Sequence, residues 1–515
     1  MKRLLSLFMS VAVVFGCMIF SITAETANTA AYAGGDGSKA TPFEISTADQ
    51  LVYFAQQINA GIGNDQYYRL TADIDLGGTY GTQTVDGIAY FIATNHKTWT
   101  AAGTTDHPFK GNFDGRNHKI ENLVTAGGAY VGLFGVIEGA TVQNVTIASG
   151  LITTAGQEAA SNPVASYAGA IAACVKASEN NTVMNCSNYA TVFVQSTQTS
   201  AGGGIIGDVG SRAVTIGIDR CYNMADIIAH TGSKNARLGG IIAYTAGKTC
   251  TVTVTNCLNT GNLTVLASQD NNGTRVGGIA GGLNGKTITV SNCFSSGTAT
   301  VPSASPKAFA GALFGATNTS YTFSDLYAAD PSKVAGNAAI VASPLISMKN
   351  GAAIRLVTGS YGIRFVSDVS AGAIRTVNAI KDEGTEIKYG TIIIPTASLT
   401  GELTSEALAA AGKVQNTDYI VIEAQNGIRT DEEGNVTIYA AMVEEAGKTY
   451  DAAMKFSAAS YMEYTVNGVV YRTYTAYTAD HNSRSMKEVA EAALADTTVS
   501  FSDAQIQILN GYIGG

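Results

Sequence analysis

Residues 239–257 read GGIIAYTAGKTCTVTVTNC, and residues 277–293 read GGIAGGLNGKTITVSNC. Each segment opens on paired glycines with an aliphatic anchor, Ile241 or Ile279. Each closes on Asn-Cys, at Asn256-Cys257 or Asn292-Cys293. Both motifs recur outward from here. The glycine motif appears as Tyr130-Val131-Gly132-Leu133-Phe134-Gly135, Ala168-Gly169-Ala170-Ile171, Gly203-Gly204-Ile205-Ile206-Gly207 and Ala310-Gly311-Ala312-Leu313-Phe314-Gly315. Its anchors Leu133, Ile171, Ile205, Ile241, Ile279 and Leu313 stand 34 to 38 residues apart. The second motif, Asn185-Cys186, Arg220-Cys221, Asn256-Cys257 and Asn292-Cys293, keeps spacings of 35, 36 and 36. Two motifs on one period define a repeat.

Within a repeat the pattern is strand-like. Thr287-Ile288-Thr289-Val290 alternates, a turn follows Asn292-Cys293, and Thr298-Ala299-Thr300-Val301 alternates again. With the Gly-Gly-Ile segment, this predicts about three short strands per repeat. No apolar stripe of helical period runs through these segments, which excludes a helical repeat. The predicted fold is mainly β: a parallel β-helix, or solenoid, of about six coils with roughly 36 residues each. Adjacent coils would lie ~4.8 Å apart, so equivalent residues should stack, the six anchors forming one buried ladder.

Open solenoid ends pair with other chains unless capped. Residues 34–125 are expected to form an amino-terminal cap and a first irregular coil. There, Thr47-Ala48-Asp49-Gln50 reads as a capping box before a helix with Leu51, Phe54, Ala55 and Ile58 on its apolar face. Repeats are assigned to 126–330. Between 124 and 330 there are 18 charged residues in 207 positions, against 34 in 185 from 331 onward. The period stops there too. A small α+β domain is therefore assigned to 335–515, with strands around Gly390–Ile394, Tyr419–Ile422 and Val436–Tyr439. Capping boxes at Ser485-Met486-Lys487-Glu488 and Ser502-Asp503-Ala504-Gln505 open its last two helices.

The chain begins like an exported protein. Lys2 and Arg3 precede an apolar run from Leu4 to Ile22, and small-residue cleavage options follow at Ile22-Thr23-Ala24 and Ala31-Tyr32-Ala33. Residues 1–33 are read as signal peptide and spacer, and the mature protein as secreted or at the cell surface. Charge is sparse, 14% of residues with a net of −9, and no basic block marks a nucleic-acid footprint. No second apolar stretch approaches the ~20 residues a membrane span needs.

The repeat residues resemble the GLUG-repeat family of bacterial surface and secreted proteins, whose signature stands here as Gly132-Leu133-Phe134-Gly135. The likeness extends upstream through Gly35-Asp36-Gly37-Ser38, Pro42-Phe43-Glu44-Ile45, Asp73-Ile74-Asp75-Leu76 and Pro108-Phe109-Lys110-Gly111-Asn112-Phe113-Asp114-Gly115, so it covers roughly residues 34–330. Asn117 departs from the pattern, where such turns usually carry Gly; Asn tolerates the left-handed conformation best after Gly. The resemblance implies an adhesin-like β-helix. Similar repeats flank a metallopeptidase domain in immunoglobulin-cleaving enzymes, but the His-Glu-x-x-His motif that peptidase needs is missing from this chain. The tail, with Ala353-Ile354-Arg355-Leu356, Gly362-Ile363-Arg364-Phe365 and Asn482-Ser483-Arg484-Ser485, is similar to a carboxy-terminal domain of unknown function common in secreted proteins of anaerobic gut bacteria.

No catalytic constellation, cofactor site or metal site is expected. Carboxylates in the repeats number one or two per coil. The nearest approach to a cluster is Asp208, Arg212, Asp219 and Arg220, a binding candidate whose plainer reading is solvated turn charges. His96, His107 and His118 lack helix-facing or tight-ligand spacing and read as loop histidines. Asp431-Glu432-Glu433-Gly434-Asn435 could hold calcium but sits where a hairpin turn belongs. Cys186, Cys221, Cys257 and Cys293 should stack inside as small reduced thiols. These readings point to a non-catalytic recognition protein whose partner is an extracellular polymer, a glycan or host surface protein. A carbohydrate-active lyase or hydrolase and a structural stalk without a ligand are the alternatives. Carboxylates converging on one face would mark the enzyme, and a row of outward Tyr or Phe would mark glycan binding.

Overall fold

Each repeat winds once around a common axis, and its strands pair only with their counterparts in neighbouring repeats. This is seen in a computed structural model that describes residues 31–514, apart from 86–87, 126, 155–164, 177–179, 197, 211–212, 232–234, 268–272, 303–307, 319, 331–341, 425–426 and 444–450. The expected export signal falls on residues 1–30, outside those described. The fold is mostly β, with 47% strand and 13% helix: a parallel solenoid of about five turns followed by a small carboxy-terminal domain. At the sixth anchor, Leu313, the rung on one face shrinks to a single bridge between Ala280 and Phe314. All six anchors are buried, none more than 4% exposed.

A coil carries five short strands where three were expected, as in Thr215–Asp219, Tyr222–Asn223, Ile227–Thr231, Ala236–Gly239 and Ile242–Thr245. The two motifs that mark the repeat are the corners that divide them. The residue before each cysteine is left-handed: φ is 52° at Asn185, 47° at Arg220, 55° at Asn256 and 51° at Asn292. Asparagine enters this region at least cost among residues with a Cβ. Its amide also bridges coils, Asn185 Nδ2 donating to Asn144 Oδ1 at 3.0 Å and Asn292 Nδ2 to Asn256 Oδ1 at 3.1 Å. Asn117 is left-handed as well, at φ 64°, so its turn survives the loss of glycine.

Two residues after each cysteine, a second ladder runs inside. Asn188 Nδ2 donates to Asn223 Oδ1 and Asn223 Nδ2 to Asn259 Oδ1, both at 2.8 Å; Asn259 Nδ2 then donates to Ser295 Oγ at 3.2 Å. The same amides reach the carbonyls of Ala190, Ala225 and Gly261, holding the next corner. The glycine motif is the other half of this contact. A Cβ on Gly240 would lie 2.4 Å from Asn259 Cγ and 2.0 Å from Gly278 O, and one on Gly204 would lie 2.4 Å from Asn223 Cγ. Between the ladders, Cys186, Cys221, Cys257 and Cys293 are fully buried free thiols. Burial, then the neighbouring thiol, raises the pKa of Cys221 and Cys257 well above the ordinary range.

The amino-terminal end is closed by helix α1 (Ala48–Asn59), which buries Leu51, Phe54, Ala55 and Ile58. Phe54 meets Tyr68, Phe113 and Phe134 at ring distances of 4.7, 5.4 and 6.1 Å. The capping box is displaced by one residue: Thr47 caps Gln50 N, but the Gln50 side chain accepts from Ser46 N rather than from Thr47 N. Tyr32 stacks on Phe43 at 4.3 Å, so residues 31–33 belong with the cap rather than with a spacer. A hairpin, Tyr80–Val85 with Ile88–Ala93, had no clear sequence signal; it lays Phe91 against Phe193 on an outer face.

The carboxy-terminal domain folds back along the flank of the solenoid instead of trailing beyond it. Its two antiparallel sheets face each other through the Ser367–Ser460 hydroxyl pair and a core that includes Phe365, Ile393 and Val489. Helix α2 (Ala371–Ile380) buries Ala373, Val377 and Ile380 in one cluster with Tyr222, Leu258, Phe294 and Tyr327. Those four stand in one outward column of consecutive coils, continuing from Thr146 and Ser187. Asn467 Nδ2 donates to Ser187 Oγ at 2.7 Å, and Arg375 pairs with Asp325 at 3.3 Å, so the contact runs along several coils. The junction between the assigned repeats and the carboxy-terminal domain, 331–334, lies outside the described residues.

The glycine–asparagine contact makes a direct prediction. Gly240→Ala should destabilise the folded chain by at least about 2 kcal/mol in urea denaturation, because its methyl meets backbone that cannot move aside. Gly217, with nothing within 4 Å of its Cβ position, is the control: Gly217→Ala should be neutral or slightly stabilising.

Candidate functional site

The coil reverses sharply between strands such as Ala236–Gly239 and Ile242–Thr245. A Cβ on Gly239 would lie 1.8 Å from Ile242 O, so no other residue permits so close a return. The reversal brings the outer sides of the two strands together. Along the first strand, Val131, Ala168, Leu238 and Val276 enter the core, leaving Tyr130, Tyr167, Arg237 and Arg275 on the outside. Register stacks them into a column, Tyr130, Tyr167, Ala201, Arg237, Arg275 and Phe309. The second strand supplies Val136, Cys174, Asp208, Tyr244 and Gly282. The Arg237 guanidinium lies 3.6 Å from the centre of the Tyr244 ring, so the two columns line one groove.

Tyr130 and Tyr167 stack on consecutive coils, 5.4 Å apart and nearly parallel at 14°. Arg275 lies 4.4 Å over Phe309. All six large side chains, with Tyr244, Arg237 and Arg275 among them, are half-buried. Asp208 is different. It is 6% exposed, and its Oδ1 has no hydrogen-bond partner among the described residues. Burial pushes its pKa up to about 7, only partly countered by the Arg237 cation. Burial first, and then Asp208, also raise Tyr167 to about 12 and Cys174 to about 12.

The four residues singled out from sequence do not form one site. Asp208 lies in this groove, whereas Asp219 and Arg220 lie on another sheet, at the left-handed corner. They pair at 3.0 Å, Asp219 Oδ1 accepts from Thr255 Oγ1 and Asn256 Nδ2, and Arg220 Nε donates to Asn185 Oδ1 at 2.7 Å. Arg220 thus fills a rung of the outer asparagine ladder. It also lines a cleft of about 700 Å³ between the solenoid and the carboxy-terminal domain, with Asn185, Tyr189, Asp382 and Asn467. Arg212 lies outside the described residues. His118 bonds Asp73 at 3.0 Å, and no group of three His, Cys, Asp or Glu suited to a metal ion occurs among the described residues. Asp431 ties its hairpin, accepting from Glu433 N and Asn435 N.

The groove itself was missed, although a signal existed. Tyr130, Tyr167, Arg237, Arg275 and Phe309 each stand two residues before a glycine of the repeat motif. Large aromatic or cationic side chains recurring at one offset in a solenoid mark a built surface.

No family model matches the chain, so the GLUG likeness rests on the motifs alone. Over 133 residues the chain is 35% identical to halomucin of Haloquadratum walsbyi, which covers 24% of this chain and 1% of that protein. Over 153 residues it is 29% identical to a "Putative Gly-rich membrane protein" of Evansella cellulosilytica, covering 28% of this chain and 16% of that one. The chain therefore spans only a small part of the length of the curated relatives it matches. Among solved structures, a "putative immunoglobulin A1 protease" from Bacteroides ovatus aligns at 23% identity and a TM-score of 0.37, over 52% of this chain and 78% of that one. Among the described residues, no helix is long and apolar enough to cross a membrane.

Asp208 gives the groove a measurable pH signature. Folded, its carboxyl stays protonated to about pH 7; unfolded, it ionises near pH 4. Between those values the folded state binds more protons, so stability falls as pH rises through the window and stays low above it. Asp208→Asn removes this loss. The variant should match the parent at pH 4 and exceed it by about 2–4 kcal/mol at pH 8 in urea denaturation. An equal effect at both pH values would contradict a neutral buried carboxyl.

Proposed function

We propose that the protein is an exported, non-catalytic recognition protein that holds an extracellular polymer, a glycan in the first instance, along this groove. One observation carries the reading: half-buried Tyr130, Tyr167, Tyr244 and Phe309 and two arginines line one channel, interrupted at the coil that carries Ala201 and Asp208. Half-buried aromatic rings present apolar surface without losing much freedom on binding. A channel that repeats every coil suits an extended chain making many weak contacts. The likeness to adhesin-like GLUG repeats points the same way, and the export signal supplies the location.

The enzyme alternative has one observation in its favour. A buried acid titrating near neutrality is poised as a general acid. Yet the two columns hold Asp208 as their one carboxylate, and glycoside hydrolysis ordinarily uses two.

The test is a glycan array probed with the whole mature chain, followed by product analysis on every glycan bound. Removing the carboxy-terminal domain would expose Leu258 and Phe294, so point variants are the cleaner instrument. Tyr130→Ala and Tyr167→Ala should each weaken binding by about tenfold, with no oligosaccharide released. Release of reducing or unsaturated sugars that stops in Asp208→Ala would favour the enzyme. Binding to host proteins but no glycan would change the partner, and no binding at all would leave the stalk.

A further inference from the structure

The carboxy-terminal domain holds a second built surface, remote in sequence from the groove. Its first sheet runs in the order Ser347–Val357, Ser360–Val369, Val436–Val443, Ile428–Thr430. Ile363 and Phe365 point into the core, so Arg364 and Val366 stand on the outer side. Register carries that side across the sheet: Arg355 lies opposite Gly362, Tyr439 opposite Val366, and Arg429 opposite Thr437, the partner of Asp368. Each step moves one strand over and two residues along. Arg355, Arg364, Tyr439 and Arg429 therefore form one diagonal across all four strands, with successive members about 7–8 Å apart. The Arg364 and Arg429 guanidinium groups lie 4.9 and 5.5 Å from the centre of the Tyr439 ring, one from each neighbouring strand. Arg429 is exposed and the other three are half-buried. Val357 and Val443, both exposed, lie on the same side near Arg355.

This row is cationic in an acidic setting. Residues 331–515 hold 14 basic and 20 acidic side chains, and several of the other cations are taken up in ion pairs. Lys349 pairs with Asp368, Arg375 with Asp325, Lys388 and Arg472 with Glu463, and Lys455 with Glu488. Among the described residues, no ion pair includes Arg355, Arg364 or Arg429. Arg355 is held instead by its Nε donating to Ser360 Oγ at 3.2 Å, and Arg364 Nε is buried with no hydrogen-bond partner among the described residues. Asp368, the carboxylate on this side, is engaged by Lys349 and by Thr437 Oγ1 at 2.9 Å. Arg355 and Arg364 are also the arginines of the two segments that mark the tail in sequence, and core packing gives no reason for them.

We infer that this diagonal is a docking surface for a linear acidic polysaccharide, distinct from the ligand of the groove. Charge complementarity selects the partner. A guanidinium meets a carboxylate or sulfate with paired charge-assisted hydrogen bonds, and the Tyr439 ring between two of them offers a sugar its apolar face. A single ring suits a saccharide, whereas single-stranded nucleic acid is ordinarily held on several aromatic rings in succession. Through this surface the protein fastens to an acidic coat by one domain while the groove of the other stays available.

The experiment is calorimetric titration of the full chain with polygalacturonate, its methyl ester, chondroitin sulfate and a single-stranded DNA oligonucleotide. The ester carries the same backbone without the charge. Polygalacturonate or chondroitin sulfate should bind, weakening with added salt. Arg364→Gln and Arg429→Gln should each reduce affinity about tenfold at unchanged melting temperature, while Tyr130→Ala and Tyr167→Ala leave it as in the parent. Arg429 is exposed, so its replacement keeps the test valid even where Arg364→Gln unfolds the domain. Acidic glycans released by Tyr130→Ala instead belong to the groove, which overturns this inference and leaves the proposed function standing. It is also overturned if the methyl ester binds as tightly as the acid, if both arginine variants bind like the parent, or if neither acidic polysaccharide binds. Tighter binding of the oligonucleotide would overturn it too, giving this face to nucleic acid.

Discussion

Inside three successive coils an asparagine amide behaves like an extra peptide group, donating to the side chain one coil on and to a carbonyl of its own turn. A buried amide left unpaired would cost a few kcal/mol, on the order of what a single mutation can remove from a domain. The Asn188–Asn223–Asn259–Ser295 ladder therefore demands that these four coils place a hydrogen-bonding side chain at the same height. The regular spacing of 35, 36 and 36 residues across these coils meets that demand. So does the glycine motif, since Gly204 and Gly240 face the asparagine side chains too closely for any other residue. The strand reversal at Gly239 that this packing permits is what opens the groove on the outside.

The surfaces of the solenoid are put to different uses. Near the amino terminus, an outer face is covered by the hairpin that carries Tyr90 and Phe91. The column through Tyr222, Leu258, Phe294 and Tyr327 is covered by the carboxy-terminal domain. Such docking removes apolar area that an isolated solenoid would expose, and the domain's grip on coils as far apart as Ser187 and Asp325 braces them against sliding. The groove between the two columns lies apart from both contacts and keeps its aromatic and cationic side chains half open.

Much of this was legible in the residues. The anchors and the Asn-Cys corners identify the solenoid because they are its turning points, where sterics leave few alternatives. The cap helix was readable from Leu51, Phe54, Ala55 and Ile58. What escaped was relational. The outward column changes from Thr146 and Ser187 to Tyr222, Leu258 and Phe294, a switch from polar to apolar that announces a covering domain only once register is known. The same holds for the candidate site. Asp208 and Asp219 lie 11 residues apart in sequence yet on different faces, while Asp208 and Arg237, a coil apart, share one groove. Local proximity in the chain misleads in a solenoid, because neighbours in space are a full period away.

The claim at the centre of this account is that ligand lies along the glycine-bend groove. Hydrogen–deuterium exchange of the protein with and without the tightest-binding uncharged glycan from the array tests it most directly. The account predicts slowed exchange in peptides spanning 130–137, 166–175, 236–245 and 275–282, on both walls of the groove and in successive coils, with the carboxy-terminal domain unchanged. Protection confined to the cleft around Arg220 and Asp382, or to the outer face beneath the amino-terminal hairpin, would contradict it.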